Sequence, residues 1–292
     1  MSGSLKTCLA VASLVSVSAY GQNLVVNGNF DRLTSDTGVA VTAADNYIIN
    51  SGGNGGYNYT TGYNLTGWTN KSYVGVVYGA GLADSASHYP LLSPDANATY
   101  CGPAGQYRTC YLILRGSNDG TVWDTSYTVP ASSPQGGNFF GADGNYYQGA
   151  LTQTVNGLTV NQAYTLSFWS AGGTLLTGGG SGTNSAAWNV TLSNGSKQDV
   201  NKTVSTGSYS AVGGTSPWVQ TVVDFTATAS SEVLSFTPSG AGSPPMALLD
   251  GVAIMQGTNV VPAVPEPAQW TMLAAGMLFV WARLRPRRAA SA

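Results

Sequence analysis

Charge is scarce in this chain: 11 Lys and Arg and 13 Asp and Glu make up 8% of 292 residues, beside one histidine and three cysteines. Each shortage excludes something. Long solvated helices depend on Glu, Lys, Arg and Leu, so an all-α design is disfavoured. Between Tyr20 and Pro262 the basic residues are Arg32, Lys71, Arg108, Arg115, Lys197 and Lys202, against twelve acidic ones, a balance that does not attract nucleic acid. A Ser-His-Asp triad would have to use His88, which lies in DSASHYPLLSP, and the chain has no GxSxG elbow. Asp119 and Asp124 are a carboxylate pair only in the sense that they are near in sequence. GGTLLTGGGSG lacks the Lys-Ser/Thr ending of a phosphate loop. The chain therefore reads as non-catalytic.

What is abundant points to strands and turns. There are 38 Gly, 16 Tyr and 7 Trp, and Ser, Thr and Asn recur between β-branched and aromatic residues. Strand-sized segments are NLVVNGNF, WTNKSYVGVVYG, YLILRG, GALTQTVNGL, AYTLSFWSAGG, AAWNVTLSNG, WVQTVVDFTAT, EVLSFTPSG and ALLDGVAIMQ, with turn signals between them. Eight to ten short strands without a helical pattern predict an all-β sandwich or jelly roll in one domain, residues 20–258. Residues 32–67 read as a long loop, and 172–185 as a Gly-rich insertion.

Both ends read as addresses. Lys6, the apolar run Cys8 to Val17 and the exit Val17-Ser18-Ala19 predict a signal peptide over 1–19 and hence export. In an oxidising compartment Cys101 and Cys110, which enclose GPAGQYRT, are expected to form a local disulfide. Two thiols and His88 do not complete the four ligands of zinc. Residues 259–267 form a linker ending in Val264, Pro265, Glu266 and Pro267, and 268–282 carry no charge. Fifteen helical residues reach about 22 Å against a hydrocarbon core of roughly 30 Å, a short but usable transmembrane helix. Arg283, Arg285, Arg287 and Arg288 in the basic tail 283–292 place that end in the cytoplasm and the body outside.

The Val-Pro-Glu-Pro motif, short apolar helix and Arg-rich terminus resemble the PEP-CTERM sorting signal of Gram-negative bacteria, over about the last 25 residues. The resemblance implies an exosortase, a membrane cysteine protease, as processing partner. It also implies anchorage in the inner membrane with the body in the periplasm, then delivery to the cell surface or extracellular matrix, often beside exopolysaccharide.

A second resemblance spans roughly Asn23 to Gln256. NLVVNGNFD, Trp68, the pair GALTQTVNGL and AYTLSFW, WVQTVVDFTAT and LLDGVAI, in that order, are similar to galactose-binding-like jelly rolls that include many carbohydrate-binding modules. The resemblance implies adjacent first and last strands and a structural Ca²⁺ between acids matching Asp31 and Asp250. This chain departs from the pattern in having the shorter Asp at 31 and Gly251 in place of a second acid. A turn-forming Asp31 and a backbone-bonded Asp250 are the competing reading. For a sugar, aromatic rings in turn-like regions are the candidates: Tyr57, Tyr59, Tyr63, Trp123, Tyr127, Tyr146 and Tyr147, as against strand residues Phe168, Trp169 and Phe225. The function expected is an exported envelope or matrix protein, polysaccharide-binding or purely structural, with a secreted hydrolase as the remaining class.

Overall fold

The computed structural model describes residues 21–258 except 52–61, 86, 89, 92–111, 117–132, 177–181, 211–213 and 243. The expected sorting motif, apolar segment, arginine tail, signal peptide and both disulfide cysteines lie outside the described residues. Among the described residues no helix is long and apolar enough to cross a membrane.

Fourteen strands form the described body: β1 Arg32–Ser35, β2 Ala40–Thr42, β3 Tyr47–Ile48, β4 Tyr63–Leu65, β5 Thr69–Asn70, β6 Gly75–Tyr78, β7 Phe139–Asp143, β8 Leu151–Asn156, β9 Ala163–Thr174, β10 Thr183–Ser193, β11 Gln198–Ser210, β12 Val219–Thr226, β13 Ser231–Ala241 and β14 Pro245–Gln256. They make a five-stranded sheet ordered β11-β10-β13-β8-β5, a six-stranded sheet ordered β12-β9-β14-β7-β6-β3, and a small sheet β2-β1-β4. All pairings between these strands are antiparallel. The two large sheets enclose one apolar core, in which Trp188, Phe168, Phe236, Phe140 and Phe30 are fully buried. The architecture is a β-sandwich.

Burial explains which strands were easy to read. β10 alternates buried and partly exposed residues along nearly its whole length, as a strand with one wet face must. β6, β7 and most of β14 are buried on both faces. A second cluster covers the outside of the six-stranded sheet, with Val76, Tyr78, Phe139, Ala171, Met246 and Leu248 packed against Leu114 and Ala83. Tyr78 donates its hydroxyl to the Leu112 carbonyl at 3.0 Å, and Leu114 N–H bonds Ala83 O at 2.7 Å. Segments 79–85 and 112–116 thus lie over a sheet face that would otherwise meet water.

Four expectations are corrected. NLVVNGNF is not a strand: Asn27 (φ 54°) and Phe30 (φ 57°) are left-handed, and the Phe30 N–H closes a turn on Asn27 O at 3.2 Å. The Asn27 side chain fixes this turn, donating to Arg32 O and Thr66 O and accepting from Arg32 N. Residues 32–67 are not one loop, since β1, β2, β3 and β4 fall in them. YLILRG contributes a single bridge, Leu114 with Leu175, rather than a strand. The Gly-rich insertion begins later than expected, because β9 runs through Gly172 and Gly173 to Thr174.

Candidate functional site

Two places bring chemistry-bearing side chains together. At the first, residues 24–28, a turn where a first strand was expected, lie against the last strand: Leu24 N–H bonds Ile254 O, and Val252 N–H bonds Gly28 O at 3.0 Å. A Cβ on Gly28 would sit 2.0 Å from Val252 O, so only glycine permits this approach. The turn that buries Phe30 between Trp68 and Phe140 delivers Asp31 to the same edge. Asp250 enters from β14 at a register shift between Asp250 and Ala253, with Gly251 left-handed at φ 60°.

Asp250 is 0% exposed. Its oxygens accept from Gly251 N–H at 2.6 Å and from the Ser133 hydroxyl. Burial drives its pKa well above the ordinary Asp value, those two hydrogen bonds pull it back, and the Asp31 charge pushes it further up. Asp31 is also raised by burial, against hydrogen bonds from the Asn138 backbone and the Asn29 amide. Neither acid has a basic partner among the described residues. Two neighbouring carboxylates, one fully buried and held only by neutral donors, fit a hard cation that takes oxygen ligands. Gly251 also accounts for the missing second acid: a Cβ there would lie 2.6 Å from Gln135 Cγ.

The second place is an aromatic cluster on the loop between β7 and β8. Asp143 accepts the N–H groups of Asn145 (2.8 Å) and Tyr146 (3.1 Å) and so turns the chain. Burial raises the Asp143 pKa, and these two bonds oppose the rise. Tyr147 follows at φ 43°. The loop is laced to residues 71–73 by Lys71 N–H to Ala150 O (3.0 Å), Tyr73 N–H to Tyr147 O (3.1 Å) and the Ser72 hydroxyl to Gly149 O (2.5 Å). Three rings meet as a result. Tyr146 and Tyr147 have centroids 4.5 Å apart at 81°, and Tyr73 lies 5.5 Å and 5.8 Å from them. Tyr146 remains 53% exposed and Tyr147 37%, while Asn145 and Gln148 beside them are also exposed. Apolar ring faces flanked by amides are the chemistry that stacks on pyranose C–H surfaces and pairs with hydroxyls.

The remaining candidates are placed as follows. Tyr63 is not on a free turn: it lies in β4, partly buried, with its ring edge-on to Tyr47 at 5.0 Å. Tyr57, Tyr59, Trp123, Tyr127, Asp119 and Asp124 lie outside the described residues. Phe168 and Phe225 are buried strand residues as expected, and Trp169 is half-buried on β9. His88 Nδ1 is 3.1 Å from Asp45 Oδ1, and among the described residues no serine hydroxyl is hydrogen-bonded to its ring. Ser133 and Tyr73 were not singled out from the sequence; no motif marks either, and only the fold brings them in.

No family model matches the sequence, and no curated protein is similar to it. Among solved structures the chain overlaps partly with one described as "CBM4 structure and function", at 14% identity over 41% of this chain and 71% of that chain, TM-score 0.28. A second is the TmCBM61 structure in complex with β-1,4-galactotriose, at 12% identity over 41% and 71%, TM-score 0.28. A third is the K3 cleaved adhesin domain of Lys-gingipain from Porphyromonas gingivalis, at 17% identity over 48% of this chain and 86% of that chain, TM-score 0.28. Overlaps this partial assign no ligand here, so the chemistry of the site rests on its own geometry.

Proposed function

We propose that the chain is an exported, non-catalytic surface or matrix protein whose β-sandwich, of galactose-binding-like jelly-roll type, binds a neutral polysaccharide through Tyr73, Tyr146 and Tyr147. The observation that carries the reading is the cluster of exposed Tyr146 and Tyr147 with partly buried Tyr73, on a loop fixed by Asp143 and by the lacing to residues 71–73. A rigid mount matters, because rings already held in place lose little entropy when a sugar stacks on them. The crossing of successive strands between sheets, β8 to β9, β9 to β10, β11 to β12, β12 to β13 and β13 to β14, supports the jelly-roll assignment. Ca²⁺ at Asp31 and Asp250, with Ser133 beside it, would tie the chain start to the last strand and leave chemistry aside. The signal peptide over 1–19 exports the protein, and the sorting signal Val264–Pro267 with its apolar segment and arginines holds it in the inner membrane for an exosortase-type protease. A disulfide between Cys101 and Cys110 belongs to the same exported state.

Retention on the producer's exopolysaccharide tests the binding reading. The wild-type body is expected to be held and the Tyr146→Ala/Tyr147→Ala double variant released, with unchanged melting. Equal retention of both removes the cluster, and no retention of either leaves a purely structural surface protein. Mass spectrometry of the mature C-terminus tests sorting, since an intact arginine tail on the final protein makes the segment a permanent anchor.

A further inference from the structure

In the five-stranded sheet, at the beginnings of β11 and β13, two carboxylates lie beside each other with no basic side chain paired to either. The β10–β11 ladder shifts register between Leu192, paired with Val200, and Ser193, paired with Gln198, leaving Asp199 as the extra residue. Its two oxygens accept from Thr228, from the N–H at 2.6 Å and the hydroxyl at 2.8 Å. Glu232, second residue of β13 and paired with Val155, points inward and is 1% exposed. Its Oε1 accepts from Ala229 N–H at 3.1 Å and from the same Thr228 N–H at 3.3 Å. One N–H thus serves both acids. Glu232 Oε2 is buried, and no N–H or hydroxyl donor reaches it.

We propose that Asp199, Glu232 and the Thr228 hydroxyl form a site for a hard divalent cation, calcium, separate from the Asp31 and Asp250 edge. Water alone would satisfy Oε2 but would leave two negative charges against each other next to the apolar Val155. The described residues supply no basic neutraliser: Lys197, in the turn before β11, and Lys202, further along it, are exposed and pair with neither acid. The N–H and hydroxyl donors already hold three carboxylate oxygens in place, so the fourth is presented without rearrangement. Asp199 is half-exposed, which leaves room for water to complete the six to eight oxygens that calcium takes. Burial raises the Glu232 pKa, the hydrogen bond to the Asp199 carboxyl and the Asp199 charge raise it further, and the Ala229 and Thr228 N–H groups oppose the rise. The cation would pin the β12–β13 loop to β11.

The test uses the full chain, melted in chelator and in excess CaCl₂, with bound calcium counted by equilibrium dialysis. Wild type is expected to gain about 5 °C from this site at calcium well above Kd. Glu232→Gln should lose that gain and one bound ion, whereas Asp31→Asn, which removes only the ion proposed at the other edge, keeps the gain from this site. Asp199→Asn, at a half-exposed position, repeats the test should Glu232→Gln not fold. An unchanged gain and ion count in both variants overturns the site without touching the Asp31 and Asp250 proposal. A wild-type midpoint indifferent to calcium overturns it as well, and identifies the pair as two acids sharing a proton.

Discussion

The indole of Trp188 on β10 donates from Nε1 to the carbonyl of Leu248 on β14 at 2.9 Å, a bond that crosses the core from one sheet to the other. Leu248 is itself paired with Gly141 and Ala171, so the contact lands in the middle of the six-stranded sheet. Around it the indole packs on Phe140 and Phe236.

Replacing Trp188 by Phe therefore removes the cross-sheet bond and part of a fully buried side chain together. The expected loss is about 3 kcal/mol, combining the lost cross-sheet hydrogen bond with incomplete collapse of the space. Urea unfolding of the two proteins measures it. A loss below about 1 kcal/mol would mean that the core closes over the gap and that the bond adds little.

Glycines should separate by their surroundings rather than by their backbone angles alone. Gly28→Ala forces a methyl group to 2.0 Å from Val252 O, a backbone atom with no room to yield, whereas Gly38 has φ 82° but nothing within 4 Å of an added Cβ. Gly38→Ala is expected to cost about 1 kcal/mol, and Gly28→Ala upwards of about 3 kcal/mol or a failure to fold. Comparable melting points for the two variants would show that the turn around Gly28 is not held against β14.

The legible part of this fold was the part with two-residue periodicity. β8, β10 and β13 alternate because one face is wet, and their segments were found; β7 was not, since FFGAD is buried throughout beneath the second cluster and carries no alternation. β11 escaped for the opposite reason: it is an edge strand of QDVNKTVSTGSYS, largely exposed, with few apolar residues to reveal a period. NLVVNGNFD looked like a strand because its apolar residues alternate, but Asn27 uses its side chain to hold a turn. Asp31 and Asp250 were identified through resemblance, whereas Ser133 and the acid pair Asp199 and Glu232 are made neighbours only by a loop and by a register shift. Tyr146 and Tyr147 could be read as exposed turn residues; Tyr73 joins them through main-chain bonds that no sequence pattern reports.

Acid should stabilise the calcium-free protein. Asp31, Asp143, Glu232 and Asp250 all have folded pKa values raised above their ordinary ones, chiefly by burial. Below about pH 4 these groups are protonated folded or unfolded, so their contribution is fully present. Above it the unfolded chain releases these protons first, and stability declines until each folded pKa is passed. Urea midpoints in chelator are expected to fall from pH 4 to pH 8, and Asp250→Asn should flatten part of that fall. A midpoint rising across the interval would contradict the direction assigned to these four groups.

Calcium reverses this dependence at the Asp31 and Asp250 edge if the ion binds there, because it supplies the charge that the buried Asp250 lacks. Thermal melts of the Glu232→Gln background isolate this edge: calcium should raise the midpoint there, and adding Asp31→Asn should abolish the rise. The family pattern tempts one further substitution, Gly251→Asp, as a way to strengthen the site. Geometry predicts the reverse. Residue 251 is left-handed at φ 60°, and an added Cβ meets Gln135 Cγ at 2.6 Å and Trp169 Cδ1 at 3.1 Å. The new carboxylate would displace the Gln135 side chain, two residues from Ser133, so the variant should melt lower in chelator and gain no more from calcium than its parent. A larger calcium gain in Gly251→Asp would show that the edge can rebuild around a second acid, and that the glycine is a choice of sequence rather than a requirement of the turn.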